Sequence, residues 1–205
     1  MTEPLDQPSD GPLEESFEPD DLSSDDSPAP AADSFATAAL ARCVRETEQH
    51  VAAAGWDGPV RVFALVRTAA ALAADPSLAS VLPDTGGDPH HLTAVEQEGL
   101  PQAEELEDLL AQLAWPDQVD GAAVVVERLV VPPAAEADLP TDEAAAVAAL
   151  SNHPDAQDVR IAAGVLRTGE SWCALRARSH DTDEQVVGGR DTVPGLVSAL
   201  AATLA

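Results

Sequence analysis

One run constrains this chain more than any other. From Ala122 to Val131 the sequence reads AAVVVERLVV, with the turn signal Asp120-Gly121 before it and Pro132-Pro133 after it. β-Branched residues pack well on a pleated surface, and Pro cannot donate to a strand ladder, so a strand stopped at both ends is expected. Alternation places Val124, Val126, Arg128 and Val130 on one face and Val125, Glu127, Leu129 and Val131 on the other. Both faces are apolar apart from Glu127 and Arg128, one charge on each. A strand of this kind is covered on both sides, so the chain needs a central sheet with helices over both faces.

The flanking pattern supplies those helices. From about Ser34, Leu40, Val44, Thr47 and Val51 recur at helical spacing, while Arg42, Arg45, Glu46 and Glu48 lie off that stripe. Gly55 ends the helix and Trp56-Asp57-Gly58-Pro59 forms a turn. Val60 to Arg67 alternates as a strand, Thr68 to Ala74 is a short helix, and Leu92 to Glu98 is a weak strand suited to a sheet edge. In Ala103 to Trp115, Leu106, Leu109, Leu110 and Leu113 share one helical face and acids take the other. A further Ala-rich helix runs to about Ser151. Val159–Arg167 and Ser171–Ser179 follow as two strands joined at Thr168-Gly169, and Val193 to Leu204 is a last helix. A two-residue turn at 168–169 would set Ile161 opposite Arg176 and point Arg160 to the opposite face; a slip of one residue inverts this. His180 to Arg190 reads as a polar loop.

The late hairpin breaks the strict alternation of a parallel fold. The expected class is therefore α+β: a mixed or mostly antiparallel sheet of about five strands flanked by helices. Residues 1–33 are expected to lie outside it as a disordered acidic tail. They hold eleven of the 37 acidic residues, many Pro and Ser, and no basic residue. Such a segment buries too little apolar surface to offset its ordering entropy. Residues 34–205 form the expected single α+β domain.

Composition excludes several functions. The formal charge is −27, which opposes nucleic-acid backbones and anionic membranes and leaves basic partners open. All ten basic residues are Arg, so neither a Schiff-base lysine nor a phosphate-loop lysine is available. Cys43 and Cys173 match no ligand spacing and read as small buried hydrophobes in a reducing compartment. No apolar run reaches the roughly 20 residues of a membrane span. The expectation is a cytoplasmic protein without cofactor or metal and without membrane insertion.

Five stretches carry a family resemblance: GWDGPVRVFALVRT at 55–68, LTAVEQEGLP at 92–101, AWPDQVDGAAVVVERLVVPP at 114–133, CALRARSHD at 173–181 and VPGLVSALAATL at 193–204. Their order resembles a conserved-hypothetical family of bacterial proteins from GC-rich lineages. The resemblance runs from about residue 35 to the end. It implies a single-domain bacterial protein of unknown function and transfers no catalytic or binding residue.

One charged constellation stands out. Arg176 and Arg178 share a strand face with Trp172, and His180 lies just beyond. Two arginines at this spacing can grip a carboxylate or phosphate, with Glu127 nearby as acid or base. The competing reading is internal pairing, since a buried Glu127 needs a cation and Arg is the usual one. Ser179-His180-Asp181 holds the residue types of a catalytic triad, but the three are consecutive, and triads are assembled from separate elements. His90-His91 beside Asp88 lacks the spacing of a helical metal site. No catalytic residue and no metal ligand is assigned. The leading expectation is a non-enzymatic protein-interaction module with an unknown protein partner. The alternative is a small-anion-binding protein or enzyme around Arg176, Arg178, His180 and Glu127.

Overall fold

The computed structural model describes residues 32–131, 140–190 and 192–205. In chain order the elements are α1 (Ala32–Ala52), β1 (Arg61–Arg67), α2 (Thr68–Ala74), β2 (Leu92–Glu96), α3 (Leu106–Ala111), β3 (Gly121–Val130), α4 (Glu143–Ser151), β4 (Gln157–Leu166), β5 (Ser171–Ala177), β6 (Val187–Gly189) and α5 (Pro194–Ala202). The strands form one six-stranded sheet in the order β2-β1-β3-β4-β5-β6, and every neighbouring pair is antiparallel. The class is α+β. Residues 1–31 of the tail expected over 1–33, and the Pro132-Pro133 stop, lie outside the described residues; Ala32 and Asp33 belong to α1.

The expected central strand is central. β3 pairs with β1 on one side and with β4 on the other. Its two apolar faces serve two cores. Val124 and Val126 pack with Ile161, Val165 and Cys173 under Leu106, Leu109 and Leu110 of the α3 segment and Leu200 of α5. Ala123 and Val125 pack with Phe63, Leu65 and Ala162 under Leu40, Cys43, Val44 and Val51 of α1. Gly164 lets α1 come down onto the sheet, because a Cβ there would sit 2.5 Å from Val44 Cγ2.

Three expectations need correction. The polar loop at 180–190 holds a sixth strand, β6, only three residues long and without a hydrophobic alternation. The helix expected over 103–115 is regular only over Leu106–Ala111. The late hairpin is slipped by one residue. Val165 lies opposite Ser171 and Arg160 opposite Arg176. The cause is a three-residue turn, Arg167-Thr168-Gly169, closed by Leu166 N–H donating to Glu170 O at 2.9 Å. Gly169 supplies the left-handed residue, φ +101°, that such a turn uses. Arg160 and Arg176 therefore share the α1 face instead of opposing ones.

Among the described residues, the β1 side of β3 has no strand neighbour beyond Val125. β1 reaches only from Gly121 to Val125 of β3, whereas β4 accompanies it to Val130. Thr68 N–H donates to His91 O and Gln97 N–H to Val62 O, which assigns the even-numbered residues of β1 to β2 and its odd-numbered ones to β3. By the same alternation, the backbone groups of Glu127 and Leu129 face the side that β1 has left. Pro59 falls in line with Glu127 and has no N–H to give, so the β1 ladder stops there.

Candidate functional site

The polar cluster forms where α1, the 55–58 turn, β3, β4 and the end of β5 meet. Glu48 lies one helical turn beyond Val44 and two beyond Leu40, in line with α1's packed face, and its side chain is fully buried. It accepts from Arg176 Nε at 2.7 Å and from Arg176 Nη2 at 2.8 Å. Arg160 Nη1 lies 3.7 Å from the same carboxylate. Arg160 reaches across to β3, donating to Glu127 Oε1 through Nη2 at 2.8 Å and Nε at 3.2 Å. It also donates to Gly55 O. Glu127 is thus the counterion of an arginine on the neighbouring strand.

The arginines pin the turn after α1. The Arg160 guanidinium lies 4.3 Å from the Trp56 ring centre and that of Arg178 lies 5.4 Å away, within cation–π range. Asp57 has φ +65°, a conformation that Asp tolerates better than most residues. Its N–H donates to Glu127 Oε2 at 2.7 Å, and its carboxylate takes both arms of Arg178 at 2.9 and 2.7 Å. On the other side Trp56 Nε1 donates to Asp181 Oδ2 at 2.9 Å. Arg176 adds Asp183 at 2.6 Å and Asp181 at 3.3 Å.

These contacts set the ionisation of the cluster. Hydrogen bonding to Glu48 raises the Arg176 pKa, so this guanidinium is permanently charged. The Arg178 fork holds the Asp57 carboxyl below the usual range and raises Arg178 in return. The Trp56 N–H, and after it Arg176, lowers Asp181.

The structure brings Arg176 and Arg178 to one corner, but their roles differ. Arg176 is enclosed and holds three carboxylates. Arg178 lies beyond the end of β5 in a short 3-10 turn, 42% exposed, on Asp57. His180 shares that turn and bonds Ser179 Oγ through Nδ1 at 2.9 Å. Asp181 does not orient it, since both its oxygens are taken by Trp56 and Arg176. The Ser-His-Asp run is therefore not arranged as a relay. His90 stacks on Phe35 at 5.9 Å, and His91 Nδ1 bonds Thr68 Oγ1 at 2.7 Å. Burial first, and then the charge of Glu46, pushes the Cys43 thiol up to about 12, so it is not a poised nucleophile.

The residues that the sequence reading passed over are Glu48, Arg160, Trp56 and Asp57. Glu48, expected off the apolar stripe, is buried on α1's packed face four residues after Val44, where an acid requires a cation. Arg160 had no signal independent of the hairpin register.

Fold and cluster together define an antiparallel α+β protein in which Arg160, Arg176 and Arg178 are tied to carboxylates of its own chain. This chain belongs to the PPA1309-like protein family, whose model matches residues 40–205. No curated protein and no solved structure matches it.

Proposed function

We propose that the chain is a non-catalytic protein-interaction module of the bacterial cytoplasm. The observation that supports this best is the outrunning end of β3. There the backbone of Glu127 and Leu129 has no strand neighbour among the described residues, and Leu129 and Val130 are 43% and 44% exposed. Open strand edges with apolar side chains are templates for other chains. The polar cluster supports the same reading from the other direction, because its arginines already have carboxylate partners. The charge of −27 keeps nucleic acid out of consideration as the partner. Among the described residues no helix is long and apolar enough to cross a membrane.

A photo-crosslinking residue placed at Leu129, and at exposed Val81 as a control, tests the proposal in cells. A discrete adduct is expected from position 129 that is absent from position 81. Identical patterns from both positions count against it.

The exposure of Arg178, together with the buried Arg160 Nη1 that lacks a hydrogen-bond partner, favours a second reading: an anion site at Arg176, Arg178 and His180 with Glu127 beside it. An anion would have to displace Asp57 from Arg178. Calorimetric titration with phosphate and citrate, on the native chain and on Asp57→Asn, decides this. Asp57→Asn must bind more tightly than the native chain for the reading to survive.

A further inference from the structure

We infer that the partner is a basic, extended segment that joins the sheet as an added strand beside Glu127–Val130, in line with β1. This rests on the protein-interaction reading and names the partner's chemistry. The slot is built by the chain itself. Pro59 ends the β1 ladder, the backbone of Glu127 and Leu129 stays turned toward a position that no strand of the described residues fills, and β4 pairs with β3 through Val130.

The slot is concave on both faces. On the side of α3 lies a cavity of about 520 Å³ lined by Val60, Leu100, Leu106 and Leu109. On the side of α1 lies one of about 370 Å³ lined by Val51, Ala54 and Val125. Pro59, Val60 and Leu100 border both. An incoming strand sends alternate side chains to opposite faces, so each set meets a recess.

Charge selects the occupant. Glu104, Glu105 and Glu107 line the larger cavity and make no ion pair among the described residues; Arg128 is the cation beside them. At the smaller one the charges are already paired, Glu127 with Arg160 and Arg61 with Glu96, so the selecting charge is that of the three glutamates. An alternating peptide with apolar and basic residues satisfies both the recesses and the rim. Residues 1–31, which contain acids and no basic residue, carry the wrong sign, and so does a second copy at −27.

The probe is an end-capped alternating Lys/Val peptide of about eight residues, a normal strand length. A second peptide of identical charge carries N-methyl groups on one backbone edge. Both are titrated against the full chain by fluorescence anisotropy. The N-methyl peptide is expected to bind about tenfold or more weakly, because it cannot complete the ladder at Glu127 and Leu129. Combined Glu104→Gln, Glu105→Gln and Glu107→Gln should weaken the parent peptide and flatten its salt dependence, while NMR shifts centre on residues 126–130. Equal affinity for both peptides, equal affinity for a Glu/Val peptide, or shifts centred on β2 or β6 would each overturn the assignment. Concentration-dependent dimerisation abolished by Leu129→Lys would overturn it in favour of a second copy. If the peptides fail while the Leu129 adduct persists, the partner chemistry is wrong and the interaction reading stands; if both fail, both fall.

Discussion

The two faces of the sheet are held by different physics. Under α3 and α5 the centre of the contact is hydrocarbon, Val62, Val124, Val126 and Ile161 meeting Leu106, Leu109 and Leu200, and its polar ties at the edge, Arg167 to the Val119, Trp115 and Leu204 carbonyls and Trp115 Nε1 to Thr203 Oγ1, include no ion pair. Under α1 it begins the same way, with Leu40, Val44 and Leu65, and then turns ionic at Glu48, Arg160 and Arg176. Apolar contact is tolerant of sliding, because one methyl group substitutes for another. A bidentate ion pair holds only in one alignment. The first face therefore supplies burial, and the second fixes where α1, β4 and β5 stand relative to each other.

The largest expected effect is on the ionic face. Glu48→Ala strands two buried guanidinium groups and should cost about 3–5 kcal/mol in urea unfolding. Replacing Glu48 and Arg176 together with Met should recover most of that loss, since a buried pair stabilises little relative to apolar packing. A single-variant loss below about 1 kcal/mol would erase the contrast between the faces. On the apolar face, Leu200→Ala removes a fully buried side chain and should cost about 3 kcal/mol, with no restoring partner. Gly164→Ala drives a methyl group into Val44 and should cost about 2 kcal/mol, which Val44→Ala in the same chain should partly relieve.

Smaller effects belong to the rim of the cluster. Asp57 and Asp181 titrate below their ordinary range when folded, so their contribution is present above the unfolded value and lost as pH falls through the folded one. The melting temperature should hold from neutral pH to about 5 and fall below about 4, and Trp56→Phe should shallow the fall. Arg178→Gln, at an exposed pair, should leave the urea midpoint within error. Smallest of all, Cys43 should resist a thiol reagent at pH 8 until the chain unfolds, because its thiol stays protonated up to about 12.

Much of the architecture is legible in the sequence. The valine run of β3 is apolar on both faces, and only a central strand accounts for that. The leucines of α3 and the stripe of α1 carry their own periodicity. What was hidden depends on non-local geometry. Thr168-Gly169 permits a two-residue or a three-residue turn, and the choice decides whether Arg160 faces Arg176. β6 consists of Val187, Gly188 and Gly189, too short and too small for any pattern. Asp57, the far partner of Arg178, is 121 residues away from it. Of the candidate site, Glu127 reads from the sequence as the counterion of an arginine, and Arg160 on the neighbouring β4 is that arginine.

The buried pairs also bear on how the chain avoids errors. In a hairpin displaced by one residue, Arg176 would turn away from Glu48 and enter the hydrocarbon layer beneath α5, leaving Glu48 with Arg160 alone at 3.7 Å. An orphaned guanidinium and a broken bidentate pair disfavour that state, whereas valines and alanines alone would barely distinguish it from the correct one. The network thus acts as a proofreader for strand alignment during folding, and its worth is measured in the mispaired conformations it forbids.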